Sequence, residues 1–269
     1  MKHTDGYGFA EELAKVLRDE GKAVADLLIP RECAICGRTL LADERHLCIH
    51  CEADLPLTGF WERRNNPMSE RLNAKLQERR TRMEDNELQY GQTMKFSYAA
   101  ALFFYHSENR YRRIPQRLKY LGDIREGQYY AGLLGKFLND SVLYKDIDMI
   151  IPVPLHWTRR WSRGYNQAEV VAREIGLATG TPVRTDILER RRRTRTQTVL
   201  DPEAKSRNVM SAFSVKSRVF RTADVGHVLL VDDVFTTGAT MAACMGALQD
   251  CFGCGTRISA AALGFVSAT

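Results

Sequence analysis

The stretch HVLLVDDVFTTGATM, residues 227 to 241, sets two adjacent carboxylates after an apolar run and follows them with three threonines and a glycine. The apolar run reads as a buried strand. In open parallel sheets ligands sit at the carboxyl ends of strands, and such an end would present Asp232 and Asp233. The turn that follows opens a helix. Its backbone N–H groups, from Phe235 to Ala239, form a cradle for an anion; the helix partial charge adds to it, and Gly238 permits close approach. Thr236, Thr237 and Thr240 add hydroxyls. The cradle fits one phosphate, and the carboxylates fit two neighbouring hydroxyls as acceptors. A phosphate near a vicinal diol describes a 5-phosphorylated ribose. A Walker B strand also ends in paired acids, but it needs a G-x-x-x-x-G-K-[ST] loop, and the GK pairs at 21 and 135 lack the following Ser or Thr. A helix merely capped by Asp and Thr is the plainer alternative.

A second pattern concerns metal. Of seven cysteines, four read CAICGRTLLADERHLCIHC: Cys33-x2-Cys36, eleven intervening residues, then Cys48-x2-Cys51. Paired knuckles at this spacing read as a tetrahedral zinc site, each aiming two thiolates at one point. Gly37 follows the first pair, where a knuckle often needs positive φ. His46 and His50 lie inside the segment, but four cysteines already complete the shell. So short a stretch cannot bury a core, and structural zinc would supply roughly 10–16 kcal/mol of folding energy. The later Cys251 and Cys254 have no second pair nearby and read as packing.

These groups need elements to hold them. The 269 residues suffice for one large domain or two smaller ones, and 44% hydrophobic with 27% charged residues is ordinary for a globular protein. No apolar run reaches membrane-spanning length, and the N-terminus is too polar for a secretory signal, so a cytoplasmic protein is expected. The net charge of +6 suits phosphate-bearing partners, and it concentrates in WTRRWSRGYNQ (157 to 167) and ERRRRTRTQ (189 to 197). Residues 8 to 29 carry apolar positions at helical spacing up to Pro30. The charged 62 to 92 stretch predicts a helix or two with solvated faces, starting near Ser69. MKFSYAAALFFYHS (94 to 107) alternates and predicts a strand or hairpin. Helix EGQYYAGLLGKFLND, strand IDMIIPVP, helix NQAEVVAREIG, strand VGHVLLVDD, helix GATMAACMGALQDC and strand RISAAALGFV follow. Such alternation predicts an α/β fold with a mostly parallel sheet.

VLLVDDVFTTGATM resembles the phosphoribosyl-pyrophosphate (PRPP) motif of type I phosphoribosyltransferases. CAICGRTL…LCIHC, LKYLGD, IIPVPLHWTRRWSRGYNQAEVVA and RTQTVLDPEAKSRNVMSAF, in that order, resemble the ComF family over about residues 28 to 267. The resemblance implies a Rossmann-like, parallel-sheet phosphoribosyltransferase core over 94–269. Before it would come a zinc ribbon of the double-ribbon type (31–60), while an N-terminal helix (1–30) and a charged helical connector (61–93) are read from the residues as additions that depart from the family pattern. It implies PRPP or a related phosphorylated ribose as ligand, Mg²⁺ with it, and a part in natural competence and DNA uptake.

Carried over by residue, Asp232, Asp233, Phe235, Thr236, Thr237, Gly238, Ala239 and Thr240 bind phosphate and ribose. Arg159, Arg160, Arg163 and Gly164 wrap the pyrophosphate. Arg191, Thr196 and Gln197 belong to a closing lid, and Arg207 and Asn208 anchor its far end. Lys119 reaches the pyrophosphate or the acceptor. Asp232, Asp233, Arg191 and Lys119 are the catalytic candidates. Magnesium would bridge diphosphate and ribose hydroxyls with few protein ligands. Three readings stay open: a phosphoribosyltransferase, a competence factor handling single-stranded DNA, and a PRPP or nucleotide sensor without turnover. No signature in the N-terminal third names an acceptor.

Overall fold

Apolar runs without alternation need cover on both faces of a sheet. The computed structural model of the chain describes residues 30–84, 95–105, 110–118, 124–155, 161, 164–190, 212–216, 225–253 and 255–267. The helix read over 8–29 lies outside them. The chain divides into two compact units, Met1–Leu55 and Pro56–Thr269.

In the first unit, residues 30–55 form a small hairpin, bridged between Glu32 and Thr39, and a short helix α1 (Ile49–Ala53).

In the second unit, helix α2 (Pro67–Glu84) leads to strand β1 (Ala99–Phe104), helix α3 (Ile124–Asp140), strand β2 (Met149–Pro152) and helix α4 (Gln167–Thr179). A small antiparallel ribbon follows, β3 (Leu188–Arg190) with β4 (Phe213–Val215). Strand β5 (His227–Phe235), helix α5 (Ala239–Phe252) and strand β6 (Arg257–Phe265) complete it. The main sheet runs β1-β6-β5-β2, and every pairing in it is parallel. This is the α/β fold that the alternation predicts.

Strands β5 and β6 are buried along almost their whole length. The helices pack as two pairs, α3 with α4 and α2 with α5. α3 buries Glu126, Tyr130, Leu134 and Leu138 at helical spacing. Fully burying side chains such as Phe103, Phe235 and Phe265 contributes about 1.5–3 kcal/mol each. Both sheet edges are covered. Beside β1, Thr58 N–H donates to Leu102 O and Phe104 N–H to Pro56 O. Beside β2, Ile150 N–H donates to Pro182 O and Arg184 N–H to Ile150 O. Covered edges offer no template for further strands.

Two expectations change. Among the described residues of the 94–107 stretch the strand is β1, and its side chains do not alternate between core and water: Ala99 to Phe103 are all buried. β1 lies in a parallel ladder with β6 and needs cover on both faces. The helix expected near Ser69 starts at Pro67. Asn66 Oδ1 caps it by accepting from Met68 N and Ser69 N, and Ser69 Oγ accepts from Asn66 N at 2.9 Å. It is not solvated all round. Met68, Leu72 and Leu76 are buried at four-residue spacing, and Arg79 pairs with Asp250 of α5 at 3.0 Å. Among the described residues no helix is long and apolar enough to cross a membrane.

At the amino ends of β5 and β6, His227 links Asp146 Oδ1 (Nδ1, 2.8 Å) to Ser259 Oγ (Nε2, 2.8 Å). The order imitates a hydrolase triad, but Ser259 and His227 are 0% and 1% exposed, so no substrate reaches them. A neutral ring with its proton on Nδ1 satisfies the chain: it donates to Asp146, and Ser259 donates to Nε2 while accepting from Tyr98 N. Burial, reinforced by Arg257, holds His227 below its ordinary 6.5 despite Asp146 and Asp148. Tyr98 and Tyr144 pack around the ring. A depressed folded-state value means the unfolded chain takes up the proton more readily, so stability is present above the ordinary value and is lost as pH falls below it. The melting temperature is expected to drop between about pH 7 and 5. His227→Gln should reduce that slope in thermal denaturation series, and an equal slope in both proteins would assign it to other groups.

Candidate functional site

The β2–β5 ladder ends at the Pro152–Val231 pair, whereas β5 stays paired with β6 as far as Phe235–Phe265. Asp232 and Asp233 therefore lie just past the end of β2, at the carboxyl end of the sheet. Successive strand residues face opposite sides. Burial follows that rule: Asp232 and Val234 are half-buried, Asp233 and Phe235 buried. Asp232 Oδ1 accepts from the N–H of Asp233 at 2.9 Å.

The chain then turns over an aromatic floor. Phe235 stacks with Phe265 at 5.9 Å, and Phe265 meets the edge of Phe60 at 5.3 Å. Gly238 lies directly on Phe235. A Cβ there would fall 2.6 Å from Cζ, and the φ of +78° disfavours any side chain. Thr236 and Thr237 are exposed, Ala239 and Thr240 half-buried. Among the described residues nothing accepts from the N–H groups of Thr236, Thr237 or Gly238, and Ala239 N reaches only Thr237 Oγ1 at 3.4 Å. The α5 N-terminus has no side-chain cap. Amides without an acceptor among the described residues, at the start of α5, thus stand next in sequence to two carboxylates, donors beside acceptors.

Arg71 escapes a reading by motif. It belongs to the charged stretch expected to be solvated, yet Nη1 donates to Thr236 O at 2.7 Å and Val266 O at 2.9 Å, and the guanidinium lies over Phe265. No local pattern marks it.

Two further segments approach this end of the sheet. After β2, Val153 N donates to Val231 O, and Asn166 ties the returning chain down: Nδ2 donates to Val153 O, and Oδ1 accepts from Ala168 N at the start of α4. Gly164 has a φ of +79° with open space around it. Tyr165 OH donates to Leu118 O. Trp161 is 88% exposed. The second segment leaves β3 at Arg190, whose guanidinium lies over Phe213 of β4 at 5.2 Å. β4 packs on α5. Cys244 of α5 feels both sides: burial pushes its thiol up, Asp232 pushes it further, and Arg190 draws it down. Arg190 and Asp232 are thus within electrostatic reach of one thiol. Lys119, Arg159, Arg160, Arg163, Arg191, Thr196, Gln197, Arg207, Asn208 and Cys254 lie outside the described residues.

In the first unit the four expected cysteines meet. Their Sγ atoms lie within 4.8 Å of one another, with Cys36 and Cys48 at 3.7 Å. A tetrahedral zinc with bonds of about 2.3 Å sets its sulfurs about 3.8 Å apart, so the cluster could hold a zinc ion. His46 and His50 are not in the cluster. The first knuckle closes through Gly37 N to Cys33 O at 2.9 Å, with Gly37 at φ +75°. Glu44 clamps the intervening loop, accepting from Leu41 N, Ile49 N and Arg38 Nη2. Burial opposes ionisation of Cys33, yet hydrogen bonds from the Cys36, Cys48 and Ile35 backbones and the Cys36 thiol bring it down to about 6. Burial and the neighbouring sulfurs push Cys51 up. Four thiols this close cannot all ionise without a shared cation.

No protein-family model matches the chain. Competence protein F of Haemophilus influenzae is 38% identical over 131 residues, 47% of this chain and 56% of that protein. DNA utilization protein YhgH of Shigella flexneri is 35% identical over 95 residues, 35% of this chain and 40% of that protein. Competence protein ComFC of Streptococcus pneumoniae is 25% identical over 225 residues, 78% of this chain and 90% of that protein. These similarities to proteins named competence protein F and ComFC support a ComF family assignment. The chain spans about half the length of the first two relatives, and most of the ComF protein from Streptococcus.

Metal analysis of the protein is expected to find one zinc ion per chain, and Cys33→Ser or Cys48→Ser to lose it. Chelation should abolish slow amide exchange across residues 30–55. Slow exchange persisting in metal-free protein would show that the hairpin stands without an ion.

Proposed function

We propose that the 232–240 segment binds the 5-phosphate and ribose of PRPP or a related phosphorylated ribose. The observation that carries this reading is the set of amides at Thr236, Thr237 and Gly238 that find no acceptor among the described residues, beside Asp232 and Asp233. The amides take the phosphate, and the carboxylates accept from the ribose hydroxyls. Thr236, Thr237 and Thr240 supply further donors. Magnesium fits as an ion held mostly by ligand oxygens, because the loop offers one half-buried carboxylate, Asp232, and one nearly buried, Asp233. When bound, it would neutralise diphosphate charge.

The reaction class is pentosyl transfer. The C1–O bond to pyrophosphate breaks with its electron pair leaving on pyrophosphate, an acceptor nucleophile forms the new bond at C1, and the acceptor's proton passes to solvent or a base. Arg159, Arg160, Arg163 and Gly164 remain candidates for the pyrophosphate. Lys119, Arg191, Thr196 and Gln197 remain candidates for closing the site. The four cysteines hold a structural zinc. The names of the relatives support a part in natural competence.

Direct handling of single-stranded DNA is the second reading. It is favoured by Trp161, 88% exposed within the basic 157–167 segment. A base stacked on an aromatic ring gains about 1–3 kcal/mol, so Trp161→Ala should weaken single-strand binding about tenfold. Fluorescence anisotropy at two salt concentrations checks this, and unchanged affinity excludes Trp161 as a platform.

For the first reading, calorimetry with PRPP and Mg²⁺ should detect binding by the unsubstituted chain. Asp232→Asn with Asp233→Asn should weaken it about a hundredfold, from two charged hydrogen bonds at about 1.5 kcal/mol each. Equal affinity in both would remove the site.

A further inference from the structure

We propose that Arg71 is a positioning residue that aims the amides of the 236–238 loop at the phosphate; this rests on the ligand reading above. Arg71 stands 165 residues before Thr236 and belongs to no motif. Its Nη1 donates to the Thr236 carbonyl at 2.7 Å and to the Val266 carbonyl at 2.9 Å, and its guanidinium carbon lies 4.9 Å from the centre of the Phe265 ring.

The consequence follows from the peptide plane. In a trans peptide the carbonyl and the next N–H lie on opposite edges of one rigid plate. A guanidinium gripping the Thr236 oxygen therefore turns the Thr237 N–H to the other side. The preceding plate is held in the same way, because the Phe235 carbonyl accepts from Val266 N at 2.9 Å. The Thr236 N–H must point away from that bond. Two consecutive amides are thus aimed by contacts made on their far edges, and neither finds an acceptor among the described residues.

Without Arg71 the 236–237 plate is free to turn over. A turned plate would face a phosphate with an oxygen in place of an N–H. The guanidinium also keeps a permanent positive charge one peptide from the cradle. Its planar face rests on Phe265, which a lysine ammonium cannot reproduce in full.

The test compares the unsubstituted chain with Arg71→Met, Arg71→Lys and the Asp232→Asn/Asp233→Asn variant, by calorimetry with PRPP and Mg²⁺ and by amide NMR of residues 236–238. Arg71→Met should displace the Thr237 amide signal and weaken PRPP binding about tenfold or more. Arg71→Lys should recover part of the affinity. Should Arg71→Met fail to fold, Arg71→Gln keeps a long stem and one donor and takes its place. Full affinity in the Arg71 variants while the double aspartate variant loses binding would overturn the role of Arg71 alone. Undisturbed 236–238 amides would also overturn it. If the unsubstituted chain binds no PRPP, or binds it no better than the double aspartate variant, the ligand reading fails and this inference with it.

Discussion

Parallel pairing of β5 with β6 is the constraint on which the candidate site depends. The two strands stay in register from His227–Arg257 to Phe235–Phe265. Because they run the same way, both end at one edge of the sheet. Phe235 and Phe265 arrive side by side there and stack, adding about 0.5–1.5 kcal/mol beyond their burial. The chain after β5 must cross this pair of rings at close range. Only glycine meets both the close approach and the positive φ at residue 238.

β2 stops four residues earlier along β5, at Val231. That shortfall opens the space in which Asp232 and Asp233 sit. A longer β2 would pair those residues and cover them. The segment after β2 is turned back by Asn166, which bonds to the Val153 carbonyl and caps α4. The β3–β4 ribbon rests on α5 and brings Arg190 within electrostatic reach of Cys244, as Asp232 is. The elements around the loop thus reach it by backbone geometry and packing, with charges placed on an apolar frame.

The cysteine cluster follows another logic. Residues 30–55 have few large apolar side chains to bury, so the order of this unit lies in turns: the Gly37 bend, the Glu44 clamp and the Cys48 start of α1. The sulfurs are held close by backbone hydrogen bonds that favour a thiolate at Cys33. A shared cation would relieve the repulsion that such closeness creates.

Helix and strand periodicities were readable directly, and so the α/β alternation, three helices and three strands from residue 126 onward and the cysteine knuckles could be placed from residue types and spacing. Those features depend on neighbours within about a dozen residues, where period, caps and knuckle turns act. The buried face of α2 and the double-sided burial of β1 were harder to read, since both depend on which element packs alongside. The grip of Arg71 on Thr236 was not legible at all. A side chain and a backbone carbonyl 165 residues apart leave no mutual trace in a linear pattern, and their meeting is set by the ladders and helix pairs that fold the chain between them. Local chemistry therefore named the groups that would bind, and long-range packing chose the direction in which they face.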